Sequence, residues 1–255
     1  MKKLGLGLFL LLLIFLFTSW AMATTITFGD NNPYWPGWEN NTWDDMKDTI
    51  GTPDLSGGYA TLSQNLLTSL TFENATTSED LWTLLSPGDL FIDVNSDQVW
   101  DYVVDLTTWS ESGPNVSDPG SGNYGIYAIS HNLEESSDYV FSGSDNTGNW
   151  SGYYIRDHHP VAFNVSGTGI GSVWFSGWPL DAPESQYSFD FTALSDGGLL
   201  IPGTLTIGWA VTCANDVIYE KIPNPVPEPA TMLLFGVGLC GLAFVGRKKL
   251  LRQES

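Results

Sequence analysis

Short runs of β-forming residues, each bounded by turn residues, limit most of this chain to a β-rich fold. Residues 24–28 alternate polar and apolar side chains and end at Gly29-Asp30, which predicts a first strand. Over 57–73 the density of Thr and the Gln64-Asn65 centre favour a hairpin over an amphipathic helix. Turn residues separate nearly all of the later runs, which are 124–130, 138–142, 153–156, 161–165, 173–176, 187–193, 205–212 and 217–221. With 27 Gly, 14 Pro and few strong helix signals, this spacing predicts an all-β fold, a single β-sandwich or jelly roll.

The last thirty or so residues contain three parts in a fixed order. Pro227, Glu228 and Pro229 come first, an uncharged apolar run over 230–245 follows, and Arg247, Lys248 and Lys249 come next. An apolar helix satisfies its own backbone in lipid, and these sixteen residues span roughly 24 Å against a hydrocarbon core of about 30 Å. The pattern predicts a minimal transmembrane helix over 230–246. Basic residues beside a span stay cytoplasmic, so 247–255 is the predicted cytoplasmic tail and the preceding chain lies outside.

These three parts resemble the PEP-CTERM sorting signal over 226–255. In that family an exosortase, an integral membrane transpeptidase-like enzyme of Gram-negative bacteria, recognises the tail and releases or transfers the ectodomain to the surface or the extracellular polymer. The resemblance implies that exosortase is a partner and that the membrane holds the chain only before processing at Pro-Glu-Pro. Looser resemblances to other exosortase-dependent surface proteins occur at 87–93, 100–104 and 212–218. An ordinary single-pass tail anchor is the alternative.

The N-terminus carries a matching export signal. Lys2 and Lys3 precede an apolar run over 4–17, and Ala21-Met22-Ala23 has the small-x-small pattern of a cleavage site. We therefore predict a signal peptide over 1–23, an ectodomain over 24–222 and a linker with Pro-Glu-Pro over 223–229. An uncleaved N-terminal anchor is the alternative. An ectodomain of this length suits one domain with a sizeable core.

The ectodomain is strongly acidic, which restricts its ligands. Between the two signals the only basic residues are Lys47, Arg156 and Lys221, against 27 acidic residues, so the formal charge is −24. Such a field repels nucleic acid and anionic lipid, because both need Lys and Arg against phosphate. We expect no nucleic-acid partner, and divalent cations or neutral sugars remain compatible ligands.

One acidic loop has the spacing of a metal site. Side-chain oxygens stand at alternate positions between two apolar runs, 90–92 and 102–106, and a backbone carbonyl adds a further ligand: Asp93, Asn95, Asp97, Val99 and Asp101. Ca²⁺ takes about six to eight hard oxygen ligands from flexible loops. The spacing resembles the Asp-x-Asp-x-Asp-Gly-x-x-Asp calcium loops of FG-GAP-type hairpins and the first part of EF-hand and dockerin loops.

The same loop departs from those patterns at two places. Gln98 replaces the usual turn glycine, and Val104 stands where an EF-hand has its bidentate acid. The second departure favours strand–loop–strand over an EF-hand. The alternative is an acidic turn whose Asp and Asn side chains only cap the backbone.

Aromatic residues in the loop after the first strand allow two interpretations. Trp35 and Trp38 lie among Pro, Gly and Asn. Exposed aromatic rings stack on sugars, but aromatics in such loops more often pack on the core, and we favour the packing interpretation.

The sequence contains no strong catalytic motif. Neither Gly-x-Ser-x-Gly nor His-Glu-x-x-His occurs, and adjacent His158 and His159 point to opposite faces of a strand. Two of the 27 carboxylates could still form a glycosidase pair. We predict a non-enzymatic structural or adhesive protein of the cell surface or extracellular matrix, with extracellular polysaccharide as a candidate partner. A displayed carbohydrate-binding module or glycoside hydrolase is the alternative.

Overall fold

The structure, a computed structural model, describes most of the ectodomain. It covers residues 23–32, 34–35, 54–75, 87–107, 109–110, 113–114, 120–133, 137–141, 160–177, 186–211, 214 and 216–224. These ranges lie in a compact unit that ends at Asn224. None of them contains a helix that could span a membrane. The predicted membrane helix over 230–246, and residues 1–22 of the predicted signal peptide, lie outside the described residues.

The described ranges contain fifteen β-strands and no helix. The strands are β1 (Ala23–Phe28), β2 (Leu55–Ser63), β3 (Leu66–Asn74), β4 (Leu90–Asp93), β5 (Val99–Asp105), β6 (Trp109–Ser110), β7 (Gly113–Pro114), β8 (Gly122–Asn132), β9 (Tyr139–Phe141), β10 (Pro160–Phe163), β11 (Gly171–Ser176), β12 (Gln186–Asp190), β13 (Leu199–Leu200), β14 (Leu205–Ala210) and β15 (Val217–Ile222). The prediction of an all-β fold is confirmed. The predicted run at 153–156 lies outside the described residues.

Eleven of these strands form one antiparallel sheet. Its hydrogen-bonded order is β1-β2-β3-β12-β11-β8-β5-β4-β14-β15, with β13 paired to β3. Two smaller sheets pair β9 with β10 and β6 with β7. The finer assignment to a β-sandwich or jelly roll stays a prediction, because strand order alone does not separate these from one strongly curled sheet.

The large sheet curls until its two edge strands approach each other. Just after β1, the Asn31 backbone N–H donates to Oε1 of Glu220 on β15 at 2.9 Å. The Leu55 N–H at the start of β2 donates to the carboxylate of Asp216, just before β15. Side chains thus bridge the gap between the edges. An edge covered in this way is protected from pairing with another chain.

The β2–β3 hairpin was predicted correctly. Ser63 pairs with Leu66, so Gln64 and Asn65 form a two-residue connection. Gln64 adopts a φ of 59°, the left-handed conformation that tight hairpin turns require.

The first and last described residues, Ala23 and Asn224, lie near this hairpin. Ala23, the first residue of β1, pairs with Ser63. The Ile201 N–H donates to the Asn65 carbonyl at 2.7 Å, and Asn224 Nδ2 donates to the Ile201 carbonyl at 2.8 Å. This chain of contacts places Ala23 and Asn224 at the same end of the curled sheet.

Trp209 on β14 occupies the centre of the main core, on the inner face of the sheet. Its ring stacks on Phe72 at 4.6 Å between centroids and lies 5.3 Å from Tyr187. Its Nε1 donates to the Gly88 carbonyl at 3.0 Å, so the buried indole N–H is satisfied. Rings from β3, β12 and β14, which are distant in sequence, therefore meet at one point.

A second aromatic layer covers the outer face of β4 and β5. Leu90 and Ile92 point into the main core, whereas Phe91 between them joins the second cluster. Trp35 lies on that face, with centroid distances of 5.4 Å to Phe91 and 5.6 Å to Trp100. This half of the sheet is therefore buried on both faces, which explains the continuous burial of β4 and β14.

We predict that Trp35→Ala destabilises the fold by about 3–5 kcal/mol, because it empties a fully packed site. Trp35 is fully buried, whereas Trp174 on β11 is 44% exposed and serves as the matched control. Trp174→Ala should change the free energy of unfolding by no more than about 0.5 kcal/mol. Urea unfolding followed by circular dichroism measures both variants, and equal effects would contradict the two-layer packing.

Candidate functional site

The acidic loop connects two paired strands, as the sequence indicated. Leu90 pairs with Val104 and Ile92 with Tyr102, so β4 and β5 form an antiparallel hairpin around residues 94–98. Asp93 ends β4 and faces Thr206 of β14. The strand–loop–strand prediction is confirmed.

The Asp93 carboxylate organises the turn. This side chain is fully buried. Its Oδ1 accepts the N–H groups of Asn95 at 3.0 Å and Ser96 at 2.6 Å, and its Oδ2 accepts the Gln98 N–H at 3.2 Å. Burial raises the pKa of Asp93, and these hydrogen bonds act in the opposite direction.

The other predicted ligands also bond to the backbone of the loop. Asn95 Oδ1 accepts the Asp97 N–H at 2.9 Å, and Asp97 Oδ1 accepts the Val99 N–H at 3.1 Å. Asp101 Oδ2 accepts the Val94 N–H at 2.9 Å. Together with Asp93, these three side chains cap the backbone of the turn.

Three carboxylates of the loop lie near enough to influence one another. Burial is the main cause that raises the pKa of Asp101, and the charges of Asp93 and Asp97 raise it further. The Asp93, Asn95, Asp97 and Asp101 side chains and the Val99 carbonyl are hard oxygen donors of the kind that Ca²⁺ prefers. In the part of the chain that the structure describes, no group of three or more His, Cys, Asp or Glu side chains is placed to hold a metal ion. The calcium interpretation stays a prediction.

The turn forms although Gln98 stands where the similar calcium loops have a glycine. Gln98 has a φ of 73° and Ser96 a φ of 56°, conformations that cost a non-glycine residue roughly 1–2 kcal/mol. Ser96 Oγ compensates with hydrogen bonds to Thr206 Oγ1 at 2.6 Å and to the Thr204 carbonyl at 3.0 Å. Sequence reasoning missed Ser96, since its partners lie on β14 and just before it, far along the chain.

Asp89 is a buried acid that sequence reasoning also missed. Its Oδ1 accepts the N–H groups of Leu106 at 2.9 Å and Thr107 at 3.0 Å, together with the Thr107 hydroxyl at 3.0 Å. Its Oδ2 accepts the Phe163 N–H at 2.9 Å. One side chain therefore connects the start of β4 to the end of β5 and to β10. The only local signal was an acid after Pro-Gly and before an apolar strand.

Burial controls the titration of Asp89 and its neighbour Asp105. Burial raises the pKa of Asp89 to about 8, the charge of Asp105 adds to this, and the hydrogen bonds from Phe163, Leu106 and Thr107 lower it. Burial also raises the pKa of Asp105, to about 6. Both acids hold a proton more tightly in the folded chain than in the unfolded chain.

Other predicted residues are placed as follows. Trp35 is fully buried and its Nε1 donates to the Leu133 carbonyl at 3.0 Å, so it presents no ring face to a sugar. Seven further predicted site residues lie outside the described ranges, as do His158 and His159. The seven are Trp38, Pro227, Glu228, Pro229, Arg247, Lys248 and Lys249.

A family model for the PEP-CTERM protein-sorting motif matches residues 225–249. The tail is a PEP-CTERM motif. It begins directly after Asn224, where the compact unit ends. The PEP-CTERM motif implies an exported protein that an exosortase processes at the membrane. Searches among curated proteins and among solved structures found no match.

We predict that the folded domain loses stability as the pH rises. The contribution of the two raised acids is complete below their unfolded pKa of 3.8 and is lost as the pH passes about 6 for Asp105 and about 8 for Asp89. The free energy of unfolding, measured in urea from pH 4 to pH 8.5, should therefore decrease.

Asp89→Asn should flatten the upper part of that profile, because the amide cannot ionise. It should also cost about 1–3 kcal/mol at low pH, since the amide N–H₂ then faces an N–H donor. Asp190→Asn on β12 controls for the change in net charge. A native profile that rises between pH 5 and pH 8 would show that both acids ionise more easily in the folded chain.

Proposed function

We propose that this chain is a non-enzymatic structural or adhesive protein of the cell surface or the extracellular polymeric matrix. The observation that carries the proposal is the PEP-CTERM motif over 225–249. The predicted C-terminal helix would hold the chain at the inner membrane only until an exosortase processes it and delivers the acidic ectodomain to the surface.

The position of the motif supports this order of events. The last described strand ends at Ile222, the compact unit ends at Asn224, and the motif begins at the next residue. Every described strand precedes the motif. Processing within Pro-Glu-Pro therefore removes no residue that contributes to the described sheet.

The arrangement of the buried acids supports a structural role. Asp89 and Asp216 each accept backbone N–H groups of distant segments, and Asp93 accepts those of its own loop. Such acids stabilise local structure, because each satisfies donors that would otherwise be buried without partners. A displayed glycoside hydrolase is the alternative, and it would need two carboxylates on either side of a sugar site.

We predict that Glu228→Ala blocks processing, because it removes the single charge of Pro-Glu-Pro. Glu254→Ala, outside the matched motif, is the matched control. Mass spectrometry of the chain from producer cells should find native protein and the control shortened near Pro229 in the extracellular fraction. The Glu228→Ala chain should keep its tail and remain in the inner membrane. An intact tail on the extracellular native protein would contradict the proposal.

A second proposal is that the acidic loop binds Ca²⁺ weakly and stiffens the surface protein. The mutual repulsion of Asp93, Asp97 and Asp101 favours it, because a divalent cation would relieve that repulsion. The left-handed Gln98 also gives the loop the turn that glycine makes in the calcium loops it resembles.

We expect calorimetric titration with Ca²⁺ to give a dissociation constant on the order of 10⁻⁴ to 10⁻³ M, the range of extracellular modules. At ten times that concentration, Ca²⁺ would add about 1.4 kcal/mol to the free energy of unfolding. Asp97→Asn should weaken binding while keeping its bond to the Val99 N–H, and Asp190→Asn should leave binding unchanged. No heat at millimolar Ca²⁺ would overturn this proposal.

A further inference from the structure

The half of the large sheet that contains β1, β2, β3, β12 and β11 has a polar outer face that no described layer covers. On β2, β3, β11 and β12 the inward side chains belong to the main core, and the alternate residues point outward. One row of paired residues crosses six strands in continuous register: Thr25, Thr61, Ser69, Asp190, Trp174 and Asn123. We call this row, together with the adjacent row Tyr59, Thr71 and Ser188, the hydroxyl face.

The hydroxyl face is wide enough for an extended ligand. Adjacent strands lie about 4.8 Å apart, so six strands extend over roughly 24 Å. A second row runs parallel to the first: Tyr59 and Ser188 lie on either side of Thr71, which is itself buried between them. Tyr59 and Trp174 are separated by three strand spacings, roughly 14 Å. Two aromatic rings therefore stand apart on a surface of short hydroxyl side chains.

Trp174 is the most accessible aromatic contact on this face. Its side chain is 44% exposed, although a large ring usually buries itself when neighbours allow. Asp190 lies directly opposite on one side and Asn123 on the other. An exposed ring between two polar planar groups can stack on one face of a sugar while its neighbours hydrogen-bond to the hydroxyls at the rim.

Cross-strand hydrogen bonds hold the neighbouring polar groups in place. Tyr59 OH donates to Gln186 Oε1 at 3.3 Å, and Gln186 Nε2 donates to Glu73 Oε1 at 3.1 Å. The Thr71 and Ser188 hydroxyls are 2.9 Å apart. Groups that are already oriented lose little entropy when a ligand binds.

The charges on this face select the kind of polymer. Strands β1, β2, β3, β11 and β12 contain no Lys, Arg or His, and their outward acids are Glu73 and Asp190. On β8, which contributes Asn123, the only such residue is His131 at the other end of the strand, opposite Trp100. The Glu73 and Asp190 carboxylates would repel a polyanion, and no basic side chain on the other five strands would attract it. A neutral glycan complements the face, because its hydroxyls can donate to the two carboxylates and exchange hydrogen bonds with Ser, Thr and Tyr.

We propose that the hydroxyl face binds a neutral polysaccharide, with Trp174 as the stacking residue. This inference rests on the proposed function in one respect: only an exported chain meets extracellular polymer. It assigns to β11 and its neighbours the sugar contact that the alternative interpretation of the sequence gave to Trp35 and Trp38.

Native affinity electrophoresis of the full-length chain in mild detergent tests the proposal. The probes are hydroxyethylcellulose, dextran and soluble starch as neutral polymers, and alginate as the polyanion. At least one neutral polymer should retard the chain, and alginate should not. Trp174→Ala should raise the dissociation constant for the retarding polymer by about tenfold or more, as the loss of a central aromatic contact does.

Leu200→Ala is the matched control, since Leu200 is 58% exposed but lies on β13, outside the two rows. It should leave retardation unchanged, and both variants should keep the native urea midpoint. No retardation by any neutral polymer, retardation by alginate, or equal effects of the two substitutions would overturn the inference. Processing in cells is measured separately, so a chain that is processed but not retarded disproves this inference alone.

Discussion

The arrangement of the layers depends on the hydrogen bonds that the Asp89 side chain accepts. Its four hydrogen bonds reach the end of β5 and the strand β10 of the outer layer. Gly88, next to Asp89, allows two backbone carbonyls to approach closely. A Cβ at this position would lie 2.5 Å from Ala210 O and 2.7 Å from Val161 O. The donors offset part of the desolvation of the buried Asp89 side chain, and its raised pKa accounts for the remainder. The core and the outer aromatic layer are thus joined through one polar centre.

The two halves of the sheet are built for different environments. Around β4 and β14 both faces are apolar, and Gly208 allows the Trp35 ring to approach the strand, since a Cβ there would lie 2.8 Å from that ring. Around β3 and β12 the strands alternate, with Phe72 and Phe189 inward and Thr71 and Ser188 outward. A sheet buried on one face keeps its register because a shift by one residue would expose the core. The same register therefore fixes the hydroxyl face.

The sequence predicted the elements whose signals are local. The hairpin at Gln64-Asn65 and the strand–loop–strand around residues 94–98 follow from turn residues between β-forming runs. Strand order did not follow, because β3 pairs with β12 and β4 with β14 across long stretches of chain. Local alternation cannot choose among such partners.

The candidate sites also divide into residues with a local sequence signal and residues whose role depends on distant partners. The Asp and Asn residues of the acidic loop were recognised from their spacing, whereas Ser96 and Asp89 act through distant partners. Trp174 was not singled out, because its exposure depends on which neighbours β11 acquires. Trp35 had been weighed as a surface ring or a packing ring, and only the tertiary contacts place it inside.

The neighbouring positions of Ala23 and Asn224 bear on how the protein matures. Both predicted signals would join the domain at the same end of the curled sheet, beside the Gln64-Asn65 turn. A tether through either one would therefore hold the domain by the same side.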